Sequence, residues 1–244
     1  MSGTRIVRCD PQHGSAPGAP SGTGPASARC YNLPVSRGHF VTFEGIEGSG
    51  KTTQLQLVAE HLRRCGVAVV TTREPGGTPL GERIRDLLLD PRLTPTPAAE
   101  LFLLEAARAQ LVAAVIGPAL REGAFVLADR FADSSLAYQG AARSLGVEMV
   151  ARLNAIACGA VVPDRTLVFD LDVGIALSRA RSRASTTATN RRFEDEEVAF
   201  HRAVAHAYLE LARRDPGRLR IVDAAGTRED VFNRTLASLD GVLP

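Results

Sequence analysis

The sequence predicts an α/β fold of three layers, with helices on both faces of a mainly parallel five-stranded sheet. Three observations predict it. A phosphate-binding loop pattern, Gly45-x-x-x-x-Gly50-Lys51-Thr52, follows an apolar run at residues 40–43 and precedes a segment of helical period. Four more short runs rich in β-formers, at 67–72, 125–128, 166–169 and 219–222, alternate with amphipathic stretches. That alternation marks βαβ units and therefore parallel pairing. No apolar run reaches the ~20 residues a membrane span needs, so the runs read as core strands.

Each element has its own signal. Residues 54–64 form a helix with an apolar stripe at Leu55, Leu57, Val58 and Leu62, ended by Gly66. The run 67–72 reads as a buried strand, and 80–89 as a short helix before a Pro-rich connection. A longer helix spans 98–115 and is expected to break before Gly117-Pro118. Further helices are expected over 145–158, 173–183, 194–213 and 228–239, with a polar, aperiodic stretch at 185–190. Residues 1–38 are dense in Gly, Pro, Ser and Ala and lack periodicity, so they are expected to be a disordered tail. They contain no apolar core of a secretory signal.

Composition narrows the partners. With 45% hydrophobic residues, the 244-residue chain can bury a sizeable core. A net charge of +2 gives no general electrostatic basis for binding nucleic acid or a membrane. The four cysteines, Cys9, Cys30, Cys65 and Cys158, are scattered without a C-x-x-C pair, which fits a reducing cytosol.

The loop carries the chemistry. Residues Gly45, Ile46, Glu47, Gly48, Ser49, Gly50, Lys51 and Thr52 are expected to cradle the phosphates of a nucleoside triphosphate with backbone N–H groups. Lys51 can reach the β- and γ-phosphates, and the Thr52 hydroxyl can ligate Mg²⁺. Lys51 is the only lysine in the chain, so a compact point charge stands where phosphates need one.

Three more segments fall after strand ends, where ligands bind in such sheets. Arg73-Glu74-Pro75-Gly76-Gly77 allows close backbone approach, though alone it reads more readily as an ordinary loop with a surface ion pair. In Asp129-Arg130-Phe131 the carboxylate can neutralise Mg²⁺ and the arginine can clamp a phosphate; as a bare dipeptide it also fits a structural salt bridge. Arg179, Arg181 and Arg183, with Arg191 and Arg192 across the polar stretch, suit a lid that brings positive charge to a transferring phosphoryl group.

Together these segments resemble the thymidylate kinase family of nucleoside monophosphate kinases, from about Phe40 to the last helix. The resemblance rests on the run from Thr71 to Thr78, on Ala106-Ala107-Arg108-Ala109-Gln110, on Asp129-Arg130-Phe131, and on Tyr138-Gln139-Gly140. Pro163-Asp164-x-Thr166-Leu167 and Leu171-Asp172-Val173 continue it in family order. It implies a P-loop NTPase fold with a helical lid. Residues 39–244 would then be one kinase domain, with the lid at about 181–194. The implied reaction moves the γ-phosphoryl of ATP to thymidine monophosphate with Mg²⁺, in a cytoplasmic homodimer that binds nucleotides and neither nucleic acid nor membrane.

By the same resemblance, Glu44 lies near the acceptor and Mg²⁺, with Thr52 and Asp129 as further metal ligands. Arg73 and Arg130 would hold the acceptor phosphate, Arg108 the base, and Tyr138 the deoxyribose; Gln139 and Ser135 are neighbouring contacts. Glu47-Gly48 stand where one family class carries an acid and an arginine, so the transfer arginine is expected from the lid, as Arg181 or Arg183 beside Lys51.

Two departures bear on specificity. Leu104 occupies the position of the family's base-stacking phenylalanine, and Phe102 lies about 200° away around the helix. Arg191 replaces the aspartate that usually precedes Arg-x-Glu in the lid. Glu105, on the same helix as Leu104, could alter the pocket further, though it reads more readily as an exposed helix-face residue. A kinase for another deoxynucleotide, motivated by Leu104, is the rival within the same class; a nucleoside kinase, with Glu44 as base, is a more distant one. A nucleotide-dependent switch would require N-K-x-D, which a chain whose sole lysine is Lys51 cannot contain.

Overall fold

The computed structural model describes residues 37–184 and 196–243, with the backbone alone for the last two residues before the gap. Strand β1 (Phe40–Glu44) is five consecutive buried residues, and the β-branched and aromatic side chains of its first four fit the centre of a sheet covered on both faces. It pairs in parallel with β3 (Phe125–Asp129) and β4 (Arg165–Asp170). Strand β2 (Val69–Arg73) adds to β3, and β5 (Leu219–Asp223) to β4, giving the order β2-β3-β1-β4-β5. The expected buried strand at 67–72 is thus an edge strand two residues further along, only half-buried because it has one neighbour.

The helices begin where the chain supplies caps. In α2 (Pro79–Leu89), Thr78 accepts the Gly81 N–H and Pro79 opens the first turn. Thr96 and Pro97 do the same for α3 (Pro97–Leu111). The expected break before Gly117-Pro118 does not occur. A widened π-type turn (Val112–Ile116) precedes α4 (Gly117–Arg121), and the Gly117 N–H bonds to the Val112 carbonyl. That extra residue per turn lets the chain pass Pro118, which has no N–H to give.

A helix not expected from sequence follows β3: α5 (Ala132–Ser135) runs into a second widened turn (Leu136–Ala142). Its Asp, Ser and Gly content hides any helical period. Next come α6 (Val147–Cys158), α7 (Val173–Ala184), α8 (Val198–Arg214) and α9 (Arg228–Ser238), the last opened by a capping box between Thr227 and Asp230.

The sheet separates two apolar layers. On one side Val41, Phe43, Leu55, Leu62, Tyr208 and Leu239 pack together, with Phe43 and Phe169 stacked at 5.8 Å. On the other, Phe40, Leu111, Ile116, Val126 and Phe131 form a second cluster. Each fully buried side chain of this size contributes roughly 1.5–3 kcal/mol of burial. These residues belong to one compact unit, Ser36–Pro244. Of the expected tail, residues 1–36 lie outside the described residues, as do 185–195 of the expected lid. Gly38 is already tied in through its N–H to the Leu120 carbonyl at 2.9 Å.

Candidate active site

Register brings the functional positions together at the carboxyl edge of the sheet. Phe43 pairs with Asp129, Arg73 with Asp129, and Glu44 with Val168. The phosphate loop leaves β1 and turns into α1 (Lys51–Arg64). Gly50 caps that helix at φ 92°, a conformation open to glycine, and a Cβ on Gly48 would sit 1.8 Å from the Ala176 carbonyl oxygen. The loop therefore packs directly on the start of α7.

Lys51 is buried, and its ammonium donates to the Ile46 carbonyl at 3.2 Å. Burial, together with Arg130, lowers its pKa. The Ser49 hydroxyl is buried and has no hydrogen-bond partner among the described residues. A loop with an orphaned hydroxyl, a buried ammonium and a helix N-terminus suits the oxygens of a triphosphate.

Thr52 donates its hydroxyl to the Asp129 carboxylate. These two hard oxygens, at the end of β3 and the start of α1, fit Mg²⁺, which retains water and shares substrate phosphates instead of needing a protein cage. No cluster of three or more His, Cys, Asp or Glu suited to a metal occurs among the described residues. Glu44, the third expected ligand, directs its bonds elsewhere: it accepts from the Phe131 N–H at 2.7 Å, the Ser134 hydroxyl at 2.6 Å and the Tyr208 hydroxyl at 2.8 Å. Burial and the neighbouring Asp133 raise its pKa to about 7 despite these donors and Arg130.

Arg130 joins the loop to the opposite wall. Its backbone takes φ 73°, a left-handed conformation uncommon for a side-chain-bearing residue. The guanidinium donates to Glu47 at 2.5 Å, Tyr138 at 3.0 Å, Ser134 at 3.1 Å and Tyr208 at 3.3 Å, and lies 4.9 Å from the Tyr138 ring centre. Glu47 also accepts from the Tyr138 hydroxyl at 2.8 Å. Burial alone would raise the Glu47 pKa, but Arg130 and Lys51 hold it down at about 2.

Beyond Arg130 a cavity opens, lined among others by Glu47, Glu74, Leu104, Arg108, Arg130, Ser135, Tyr138 and Gln139. Leu104 gives its wall an aliphatic side chain, while Phe102 is 61% exposed on the far side of α3. Arg108 is buried and makes five hydrogen bonds: to Glu74 at 2.9 Å, Glu105 at 2.8 Å, Asn154 at 2.6 Å, the Phe131 carbonyl at 3.3 Å and Ser135 at 3.0 Å. Glu105 is therefore not an exposed helix-face residue. It is buried as a partner of Arg108, because its side of α3 faces the cavity wall and not solvent.

Arg73 sits apart from this lining, paired at 2.9 Å with Glu82 and half-exposed. Arg85 lines the cavity instead, donating to the Pro75 carbonyl at 3.0 Å. Sequence reasoning gave Arg85 no role. It missed Ser134, Tyr208 and Asn154 altogether, because their partners lie on elements distant in sequence and no local spacing marks them.

A second cavity lies on the other side of the loop, lined by Gly48, Ser49, Gly50 and Gln54, by Ser178, Arg179 and Ser182 of α7, and by the 224–231 segment. Arg179 thus faces the loop, whereas Arg181 is exposed and outside this lining. Arg183 lies at the end of α7 and its side chain is outside the described residues, as are Arg191 and Arg192.

Comparison with known proteins gives a consistent set of relatives. The thymidylate kinase family profile matches residues 43–235. A thymidylate kinase of Pelobacter propionicus is 49% identical over 205 residues, which cover 83% of this chain and 94% of that protein. One from Geobacter sulfurreducens is 50% identical over 189 residues, covering 76% and 89%. Among solved structures, the crystal structure of thymidylate kinase from Ehrlichia chaffeensis aligns with a TM-score of 0.68 and 32% identity, over 84% of this chain and 99% of that one.

Proposed function

Because this chain belongs to the thymidylate kinase family, we propose that it transfers the γ-phosphoryl group of ATP to thymidine monophosphate, giving thymidine diphosphate and ADP. One observation carries the reading: consecutive loop residues Glu47 and Gly48 line two different cavities, so a donor and an acceptor meet across a single peptide unit.

In this reading the triphosphate occupies the loop, with its nucleoside in the cavity walled by Arg179 and the 224–231 segment. The monophosphate enters the cavity of Leu104, Arg108, Tyr138 and Gln139, with Ser135 beside Arg108. Arg130 holds the acceptor phosphate, since its fork is already aimed by Glu47, Tyr138, Ser134 and Tyr208. Glu44 fixes the turn carrying Arg130 through the Phe131 N–H and Ser134, so it positions and does not itself react. Lys51 and a lid arginine, Arg181 or Arg183, supply charge to the transferring group, which has little covalent chemistry to be done for it. Arg73 stays at the rim with Glu82 and would reach the acceptor phosphate only by leaving that pair.

Thr52 and Asp129 would hold Mg²⁺, which when bound neutralises charge on the β- and γ-oxygens. The homodimer belongs to the same reading: Phe102, Met149 and Ile156 on α3 and α6 are exposed apolar residues that a second copy would cover. No helix among the described residues is long and apolar enough to cross a membrane, and a cytoplasmic location is part of the same proposal. A second reading, a kinase for another deoxynucleoside monophosphate, draws on the aliphatic Leu104. ADP release measured over a panel of acceptors distinguishes the two.

A further inference from the structure

Gln139 lines the acceptor cavity and is only 2% exposed. Its amide nitrogen donates to the Glu100 carboxylate at 2.8 Å. Glu100 is fully buried on the first turn of α3, with Arg143 at 3.6 Å. The carboxylate oxygen accepts that N–H, so the amide NH₂ points toward Glu100 and the amide oxygen points away. Among the described residues, nothing donates to the Gln139 amide oxygen.

We propose that Glu100 is a positioning residue for base selection: by pinning the Gln139 amide, it presents an acceptor to the cavity and so selects a pyrimidine whose ring N3 carries hydrogen. This rests on the proposed function. Thymine and uracil present N3–H, which the oxygen can receive. Cytosine presents an unprotonated N3, which would leave two acceptors facing each other across the cavity. Sites built around one hydrogen bond reject the ligand lacking it far better than shape alone does. Leu104 cannot make this distinction, because an aliphatic wall contacts both rings alike. Without the carboxylate, the amide can rotate and offer its NH₂ to cytosine N3.

The test compares Glu100→Gln with the unmodified chain in steady-state kinetics with thymidine and deoxycytidine monophosphates. The variant side chain can donate as well as accept, so it no longer dictates the amide orientation. The expected result is a roughly tenfold rise in KM for thymidine monophosphate, with kcat and the KM for ATP within about twofold, the size of one net hydrogen bond. The ratio of kcat/KM for the two acceptors should narrow by about tenfold. Gln139→Met, which removes the acceptor and keeps Glu100, should narrow it equally and serves if the first variant does not fold. An unchanged ratio in a folded variant overturns the inference. So does a uniform loss in kcat and in both KM values with a lowered Tm, which would mark a structural role. Equilibrium binding of both monophosphates to the same proteins gives the same ratio independently of turnover, so failure of the proposed reaction is read separately.

Discussion

The Glu47 carboxylate and the Arg130 guanidinium meet at 2.5 Å, tying the phosphate loop to the turn that ends β3. The pair is screened from solvent and further held by Tyr138. A buried pair of this kind is costly to break from one side, and here it sets the direction of the Arg130 fork in the proposed acceptor cavity.

Arg130→Lys keeps the charge but removes the fork. We expect the KM for thymidine monophosphate to rise at least tenfold and kcat to fall by about 10²-fold, with the KM for ATP nearly unchanged. Steady-state kinetics with each substrate varied in turn checks this. Equal changes in both KM values would place Arg130 outside the acceptor side.

Asp129→Asn should act through the metal. Because Thr52 and Asp129 share a hydrogen bond, the amide retains the contact but loses the charge. Half-maximal activity should require about tenfold more Mg²⁺, and chelation should abolish turnover in both proteins. A Mg²⁺ titration that superimposes on the wild type would remove Asp129 from the metal site.

In the proposed reaction, positive charge on the transferring group comes from Lys51 and the lid. Lys51→Ala should lower kcat by about 10²–10³-fold or more. Arg181→Ala or Arg183→Ala should lower kcat with a weaker effect on acceptor KM, while Arg179→Ala, in the donor cavity, should raise the KM for ATP. Unchanged turnover in both Arg181 and Arg183 variants would assign the cation elsewhere, with Arg179 next in line.

Much of this was legible in the sequence, and the rest was hidden for physical reasons. The loop is local: glycine spacing, Lys51 and Thr52 fall within eight residues, and strand-helix alternation sets the parallel order around it. The expected placement of Phe102 away from the base cavity also follows from helical spacing, and the exposed ring on α3 agrees. What spacing could not reveal is pairing at a distance. Tyr208 reaches Glu44 across 164 residues, and Glu100 meets Gln139 across 39. Glu105 misled because a glutamate on a helix is usually solvated; only the fold shows that its side of α3 meets Arg108. The helix at 132–142 escaped because Asp133, Ser134, Ser135 and Gly140 break its apolar period.

Stability should report on Glu44. Burial and Asp133 raise its pKa from 4.5 to about 7, so the folded state binds a proton that the unfolded chain releases earlier. Its contribution is fully present below about pH 4.5 and is lost as pH rises through about 7. At 1.36 kcal/mol per unit, that shift amounts to roughly 3 kcal/mol. Chemical denaturation between pH 5 and pH 8 should show stability falling, and Glu44→Gln should flatten the fall. An identical slope in the variant would mean that Glu44 titrates normally.

The central claim, that one loop joins an ATP cavity to a thymidylate cavity, is tested most directly by ADP release from Mg-ATP over a panel of acceptors. The panel comprises dTMP, dUMP, dCMP, dGMP, UMP and thymidine, with the unmodified chain. The account predicts fastest turnover with thymidine monophosphate and little with thymidine, which lacks the phosphate that Arg130 holds. Fastest turnover with another acceptor, or none with any, would contradict it.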